Sequence, residues 1–250
     1  MKNWINFALF ISIISLFSCN KHDDPNAQTN KEIMAIDNYL AANSINNALV
    51  DGFGSRIVIQ QFGEDAPAHT GQIVKVSYIA RLFSDGSIFD EGVINSNLEN
   101  VTGSGLQSVI SGLMKGSKAI AYVPSKYAFG ASGTNVVPPN STIIYQVSLD
   151  DVIRTSSEQS QFNIDTTAIQ KYISDNNITN VVKHTSGVRY TVDASGTGTQ
   201  PTVYNSVNLH FKGSILSNGS VFQESDLTGT NIFGLIDGLK VGLPLMTEGA

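Results

Sequence analysis

Val74-Lys75-Val76-Ser77-Tyr78-Ile79-Ala80-Arg81-Leu82-Phe83-Ser84-Asp85-Gly86-Ser87-Ile88-Phe89-Asp90 is the stretch from which the fold is read. Val74, Val76, Tyr78 and Leu82 keep one phase of a two-residue period, so one face of a strand is expected to line a core. Asp85-Gly86 supplies the positive φ of a tight hairpin turn, and the returning strand brings Phe89 and Asp90 back alongside Tyr78. An acid, an aromatic ring and a phenol are thereby predicted to meet beside an apolar face.

The rest of the chain repeats this unit, and a repeat governs any reading of a fold. Ala35-Ile36, Tyr39 and Asn43 recur as Ala168-Ile169, Tyr172 and Asn176. Gly54 and Arg56 recur as Gly187 and Arg189, Phe89 as Phe222, Gly105-Leu106 as Gly238-Leu239 and Gly116 as Gly249, all at an offset of 133 residues. Each copy opens on an amphipathic helix, through Ile33, Ile36, Tyr39 and Leu40 in the first and Ile164, Ala168, Tyr172 and Ile173 in the second. Asp165 with Thr166-Thr167 is the expected cap of the second helix. Such a helix packs on its own domain or pairs with its counterpart, and the second alternative makes a dimer through the leading helices.

A strand follows each leading helix, at Ser55 to Gln60 and Val188 to Val192, and then the hairpin. The second hairpin is Val207-Asn208-Leu209-His210-Phe211, the turn Asn218-Gly219, and Val221-Phe222-Gln223. Next comes a helix bearing Leu106, Ile110 and Leu113, or Leu239, Leu243 and Met246, with Gly116 and Gly249 where a C-terminal cap belongs. The first copy closes with a strand from Lys118 to Val123, a loop from Pro124 to Asn140, and a strand from Thr142 to Val152 with Ile143, Tyr145, Val147 and Leu149 on one face. By the same offset the second copy, ending at Ala250, is expected to be truncated before its last two strands.

The composition, 41% hydrophobic and 14% charged over 250 residues, is that of a globular protein. A net charge of -6 without a Lys/Arg cluster argues against nucleic acid, whose phosphates need a basic surface. Four scattered histidines and a single cysteine leave no CxxC or HExxH spacing, so no metal, cofactor or disulfide is expected. Met1-Lys2, an apolar run from Trp4 to Phe17, and Leu16-Phe17-Ser18-Cys19 together resemble a bacterial lipobox. That resemblance implies a signal peptide over residues 1–19 with cleavage before Cys19 and acylation of that cysteine. The alternative is an uncleaved anchor with an incidental cysteine, although the run is shorter than the ~20 residues of a spanning helix.

Residues 20–30 are polar and read as a flexible tether reaching at most ~35 to 40 Å. Asp23-Asp24 resembles the acidic export signals of some Bacteroidetes surface lipoproteins. The chain thus divides into leader, tether, a first domain over residues 31–154 and a second over residues 160–250. Its expected place is the cell envelope, lipid-anchored at the outer membrane on the periplasmic or the surface face.

Val76-Ser77-Tyr78, Asp85-Gly86-Ser87-Ile88-Phe89-Asp90, Gly105-Leu106, Gly116-Ser117-Lys118, Val123-Pro124, Tyr127-Ala128-Phe129-Gly130 and Val137-Pro138-Pro139-Asn140-Ser141-Thr142 follow in an order and spacing that resembles the FKBP-type peptidyl-prolyl isomerases. The second copy resembles the same family through Gly187-Val188-Arg189-Tyr190, Phe211-Lys212-Gly213, Asn218-Gly219, Phe222 and Leu235-Ile236-Asp237-Gly238-Leu239. The resemblance implies an α+β fold in each copy, a twisted antiparallel sheet wrapped over a short helix with an apolar proline pocket between them. Carried over by position, Tyr78, Phe89, Asp90, Leu106, Phe129, Val137 and Tyr145 line the first pocket. Phe211, Phe222, Gln223, Leu235, Ile236 and Leu239 line the second.

There are departures from the family's pattern. Leu106 stands where the family usually has a tryptophan floor, Phe129 replaces a tyrosine whose hydroxyl contacts substrate, and Gly103 replaces a bulky aliphatic. The chain between Asp90 and Leu106 is also short, so the strand after Asp90 is expected to be reduced.

What the resemblance implies chemically suits these residues. An X-Pro bond interconverts over ~18 to 20 kcal/mol because twisting destroys amide resonance. A dry apolar pocket disfavours the more dipolar planar amide relative to the twisted one, without a nucleophile or proton relay. Proline-containing polypeptides are the implied clients. The competing reading is a non-catalytic FKBP-like binding or chaperone module, supported by Leu106, Leu239, Phe129 and Gln223. Asp90 is read both as the acceptor that holds Tyr78 and as a substrate contact. Gly103-Ser104-Gly105 and Gly196-Thr197-Gly198 read as turns rather than phosphate loops, and Asp150-Asp151 as a solvated strand end.

Overall fold

A computed structural model describes residues 24–250, so Cys19 and the leader lie outside the described residues. In chain order these residues form α1 (Ala27–Ala42), β1 (Leu49–Val50), β2 (Arg56–Gln61), β3 (Glu64–Pro67), β4 (Ile73–Leu82), β5 (Ile88–Asn97), α2 (Ser104–Ser111), β6 (Met114–Lys115), β7 (Lys118–Val123) and β8 (Ile143–Ile153). They continue as α3 (Ser156–Asp175), β9 (Val182–Lys183), β10 (Arg189–Tyr190), β11 (Ser206–Ser214), β12 (Val221–Asn231) and α4 (Asp237–Gly242). The main sheet runs β1-β2-β7-β8-β4-β5 with every neighbour antiparallel.

Period-two alternation gives this sheet two apolar faces. On one, Val74, Val76, Ala80 and Leu82 of β4 join Ile57, Ala121, Val123, Ile143, Tyr145, Val147 and Leu149 around Leu106, Val109 and Ile110 of α2. On the other, Val58 and Tyr122 meet Ile36 and Leu40 of α1. A bidentate ion pair from Arg56 to Asp37, at 2.7 and 2.8 Å, also ties α1 to the sheet. Burying each aliphatic side chain contributes ~1.5 to 3 kcal/mol, against ~0 to 1 for a surface ion pair, so burial seats the helix. The hairpin turn is closed as its residues dictate: Gly86 has φ +75°, and Ser87 donates both its backbone N–H and its hydroxyl to Asp85 Oδ1.

Several elements differ from their sequence reading. The tether gives way to helix at Ala27, and Thr29 is already buried. β5 is not reduced; it is a ten-residue strand paired to β4 from Ile88 to Asn97. α2 ends before Gly112, its C-cap, whose N–H still bonds to the Ser108 and Val109 carbonyls. Gly116 is therefore no helix cap but turns the chain from β6 to β7 at φ +84°. α4 likewise ends at Gly242, Pro244 lies in the 3-10 turn that follows, and Gly249 is remote from the cap.

α3 begins well before Asp165. Thr155 accepts from the Glu158 N–H while the Glu158 carboxylate accepts from the Thr155 N–H, a reciprocal capping box. Thr166 and Thr167 instead bond back to carbonyls of Phe162 and Asn163 inside the helix. The partly buried stripe is Phe162, Thr166, Ile169 and Ile173, so Ile164, Ala168 and Tyr172 face outward. The expected strand Val188 to Val192 shrinks to Arg189-Tyr190, paired with Val182-Lys183. β11 and β12 form a sheet of their own.

Gly105 in α2 and Gly238 in α4 give a direct test of how tightly each helix is packed. A Cβ on Gly105 would collide with Val123 Cγ1 and sit 2.9 Å from the Tyr127 carbonyl oxygen, whereas one on Gly238 meets nothing within 4 Å. Gly105→Ala is expected to destabilise the protein by about 1 to 3 kcal/mol through overpacking. Gly238→Ala is expected to be neutral or to stabilise by up to about 1 kcal/mol, both read from urea unfolding midpoints.

Candidate functional site

Tyr78 stands near the middle of β4, opposite Gly92 of β5. With no side chain at Gly92 the phenol lies along β5, and its hydroxyl donates to Asp90 Oδ2 at 2.8 Å. Consecutive residues of a regular strand point to opposite faces, yet Phe89 and Asp90 both reach the Tyr78 side. A β-bulge is the reason. Ala80 pairs with Asp90 and Arg81 with Ile88, which leaves Phe89 as the extra residue.

Phe89 packs on the core and meets Phe129 edge to face, with centroids 5.6 Å apart and planes at 82°. Such a pair contributes ~0.5 to 1.5 kcal/mol beyond its buried area. Phe129 sits where the loop after β7 reverses. The Ser125 carbonyl accepts from the Ala128 N–H at 2.9 Å and the Gly130 N–H at 2.8 Å, and Gly130 takes φ +67°. Farther along, the Thr134 hydroxyl accepts from the Val137 N–H at 3.0 Å, and Val137 turns into the core.

Leu106 in the first turn of α2, Val137 and Tyr145 of β8 are 5%, 1% and 5% exposed, so the floor is filled. Tyr78, Phe89 and Phe129 form a half-buried rim, and Asp90 is exposed at its edge. An incoming chain can touch the rim and Asp90 at the surface above this floor. Burial, and then the hydrogen bond and charge of Asp90, raise the Tyr78 phenol above its ordinary pKa. Burial lifts Tyr145 further, with smaller contributions from Tyr78 and Asp90. Tyr78 is therefore a neutral donor at physiological pH. The arrangement can exclude water from one side of a bound apolar group while presenting a phenol and a carboxylate beside it. Its rim bears neither thiol, histidine nor lysine, the usual proton-transfer or covalent groups.

The hairpin of β11 and β12 has the same kind of bulge but not the site. Gly213 pairs with Gln223 and Ser214 with Val221, so Phe222 is again the extra residue. Phe222 is 63% exposed and lies across its own hairpin, where a Cβ on Gly213 would collide with its ring. Ile236 is 70% exposed, Gln223 is exposed, and Phe211, Leu235 and Leu239 are only partly covered. The expected second pocket is thus not assembled among the described residues. Clefts of about 520 and 240 Å³ open instead between β3 and α4, both beside Asp65 and Val241.

Sequence reasoning did not single out Gly92 or the bulge at Phe89. The glycine was a readable signal, since glycine inside a strand marks close approach or a bulge. The register shift had none, because it belongs to the pairing of two strands.

Residues 64–150 match the family model described as FKBP-type peptidyl-prolyl cis-trans isomerase, a span that includes all the first-copy site residues. FK506-binding protein 2 of Aspergillus oryzae is 31% identical over 97 residues, covering 36% of this chain and 71% of that protein. The chain belongs to the FKBP family. Other FKBP relatives align over a smaller part of their length. The 46 kDa FK506-binding nuclear protein of Spodoptera frugiperda is 33% identical over 96 residues, 36% of this chain but 23% of that protein. FkpA of Aeromonas hydrophila, a peptidyl-prolyl isomerase of FKBP type, is 30% identical over 119 residues, 44% of this chain and 43% of that one.

The buried phenols of this FKBP domain set an alkaline limit. Tyr122 is pushed up to about 12 by burial and then Tyr39, and Tyr145 is raised more. In the unfolded chain a tyrosine ionises near ~10, so above that pH the unfolded state binds fewer protons than the folded one and stability falls with rising pH. Urea unfolding is expected to give a constant stability through pH 9 that declines from about pH 10 to 12, with a shallower decline for Tyr145→Phe. A stability that rises over this interval would contradict these environments.

Proposed function

We propose that this protein is a peptidyl-prolyl cis-trans isomerase that turns over at the surface formed by Tyr78, Phe89, Asp90 and Phe129. The observation that carries the reading is the Tyr78 to Asp90 hydrogen bond set beside the edge-to-face Phe89 and Phe129 rings, over a buried apolar floor. A proline ring laid on those aromatic edges brings its preceding amide out of water on one side. The planar amide loses more by that than the twisted one, so the barrier falls, and each ~1.4 kcal/mol of the difference is worth tenfold in rate. Phe129 has no hydroxyl to offer, which leaves Tyr78 as the phenol at the rim.

In this reading the two copies form a tandem with divided roles. Gln223 stands for Asp90 and Phe211 for Tyr78, so the polar pair is missing from the second copy, whereas Phe222 and Ile236 remain as exposed apolar surface. The second copy then holds an extended client chain with little turnover of its own. Clients are proline-bearing segments of exported or envelope polypeptides, and an acylated Cys19 tethers the isomerase at the outer membrane. Isomerisation of an X-Pro tetrapeptide tests the assignment on the chain from Asn20 onward. Asp90→Asn is expected to lower kcat/KM about tenfold and Phe222→Ala to leave it unchanged. Equal losses in both, or none in the first, would refute it.

A further inference from the structure

Glu32 is a charge inside the buried stripe of α1, four residues from Ile36, and it is only 5% exposed. A carboxylate taken from water at that depth is tolerable only if its oxygens are occupied. They are. Oε2 accepts the Ser125 backbone N–H, while Oε1 accepts the Ser125 hydroxyl at 2.7 Å and the Gln28 side-chain amide at 2.6 Å. A second strap lies at the N-cap of α1, six residues before Glu32, where Lys126 Nζ donates to Asn26 Oδ1 at 2.9 Å. Two consecutive residues at the start of the loop after β7 are therefore held by the leading helix.

Ser125 is the residue whose carbonyl accepts the Ala128 and Gly130 N–H groups and so closes the turn around Phe129. The path from Glu32 to the rim is short and continuous: carboxylate, Ser125 amide and hydroxyl, Ser125 carbonyl, the amides on either side of Phe129. Tyr127, between Ser125 and Ala128, packs against Phe53 with centroids 4.7 Å apart. We propose that Glu32 is a positioning residue, one that keeps Phe129 in its contact with Phe89 and thereby makes the leading helix part of the catalytic apparatus. This rests on the isomerase reading for its consequence in rate, but its structural content stands separately.

A loop released from α1 would spend part of its time away from Phe89, and apparent affinity falls by the competent fraction while the bound complex reacts as before. The expected signature of Glu32→Ala is a KM raised about fivefold with kcat near wild type, and hydrogen exchange at the Ala128 and Gly130 amides accelerated about tenfold while the Val76 amide of β4 is unchanged. Ser125→Ala, which leaves α1 intact, is expected to move both readouts in the same direction by less. Glu32→Gln, which keeps a carbonyl acceptor, is expected to recover part of the loss. Met34→Ala, on the exposed side of α1, is expected to change neither.

Failure of the two ideas can be told apart. A wild-type chain without isomerase activity would remove the functional reading, and the exchange rates would still decide the strap. Wild-type exchange at Ala128 and Gly130 in both Glu32→Ala and Ser125→Ala would overturn the inference, whatever the activity. An equal acceleration at Val76 would do the same, because Glu32 would then support the fold at large rather than the loop.

Discussion

The pairing of β4 on both edges is the constraint on which the six-stranded sheet and its site depend. From Ile73 onward β4 is bonded to β5 on one side and β8 on the other, which fixes its side chains to one of two faces along its whole length. One face of β4 meets α2, while Val58 of β2 and Tyr122 of β7 carry α1 on the opposite side of the sheet. With β4 immobilised, the bulge beside Ala80 becomes a stable feature rather than a slip in register, and it is the bulge that brings Phe89 to the side on which Asp90 already faces Tyr78. β11 has the same bulge but is paired among the described residues only with β12, and its Phe222 folds back over Gly213. The same local sequence logic gives a site where the strand is held on both edges and an exposed ring where it is held on one.

Burial rather than charge organises the site. Leu106, Val137 and Tyr145 fill the space beneath the rim, so the surface offered to a chain is shallow and its polar content is confined to Tyr78 and Asp90. Exposed ion pairs such as Lys171 to Asp175 lie far from it along the chain and contribute ~0 to 1 kcal/mol. The buried carboxylate of Glu32 is different in kind: removing its partners would strand a charge in the interior, which makes the contact between α1 and the Phe129 loop costly to break.

Most of the first copy was legible because strands buried on one face alternate and hairpin turns demand particular residues. Val74, Val76, Ile143, Tyr145, Val147 and Leu149 announced their faces, and Asp85-Gly86 its turn. Helix ends were read less well, since Gly116 and Gly112 both qualify as stops and only the packing of Leu113 behind the helix decides between them. The start of α3 was readable in Thr155 and Glu158, a spacing overshadowed by the polar cluster at Asp165. In α1, Ile36 and Leu40 are buried as read, but Glu32 was hidden because a carboxylate does not count towards an apolar stripe, and Tyr39 lies at the edge against Phe83 and Tyr122. Nothing local to Phe222 distinguishes it from Phe89, so the open second site required knowledge of what surrounds the hairpin.

The central claim is that a proline-bearing chain engages the rim of the first copy. The most direct measurement is a titration of the isotopically labelled chain with an apolar X-Pro tetrapeptide, following backbone amide resonances. The account predicts saturable shifts at Phe89, Asp90, Phe129 and Gly130, with exchange between the cis and trans peptide signals accelerated at the same concentrations. Shifts confined to β11, β12 and α4, or unaccelerated exchange with the rim saturated, would contradict it.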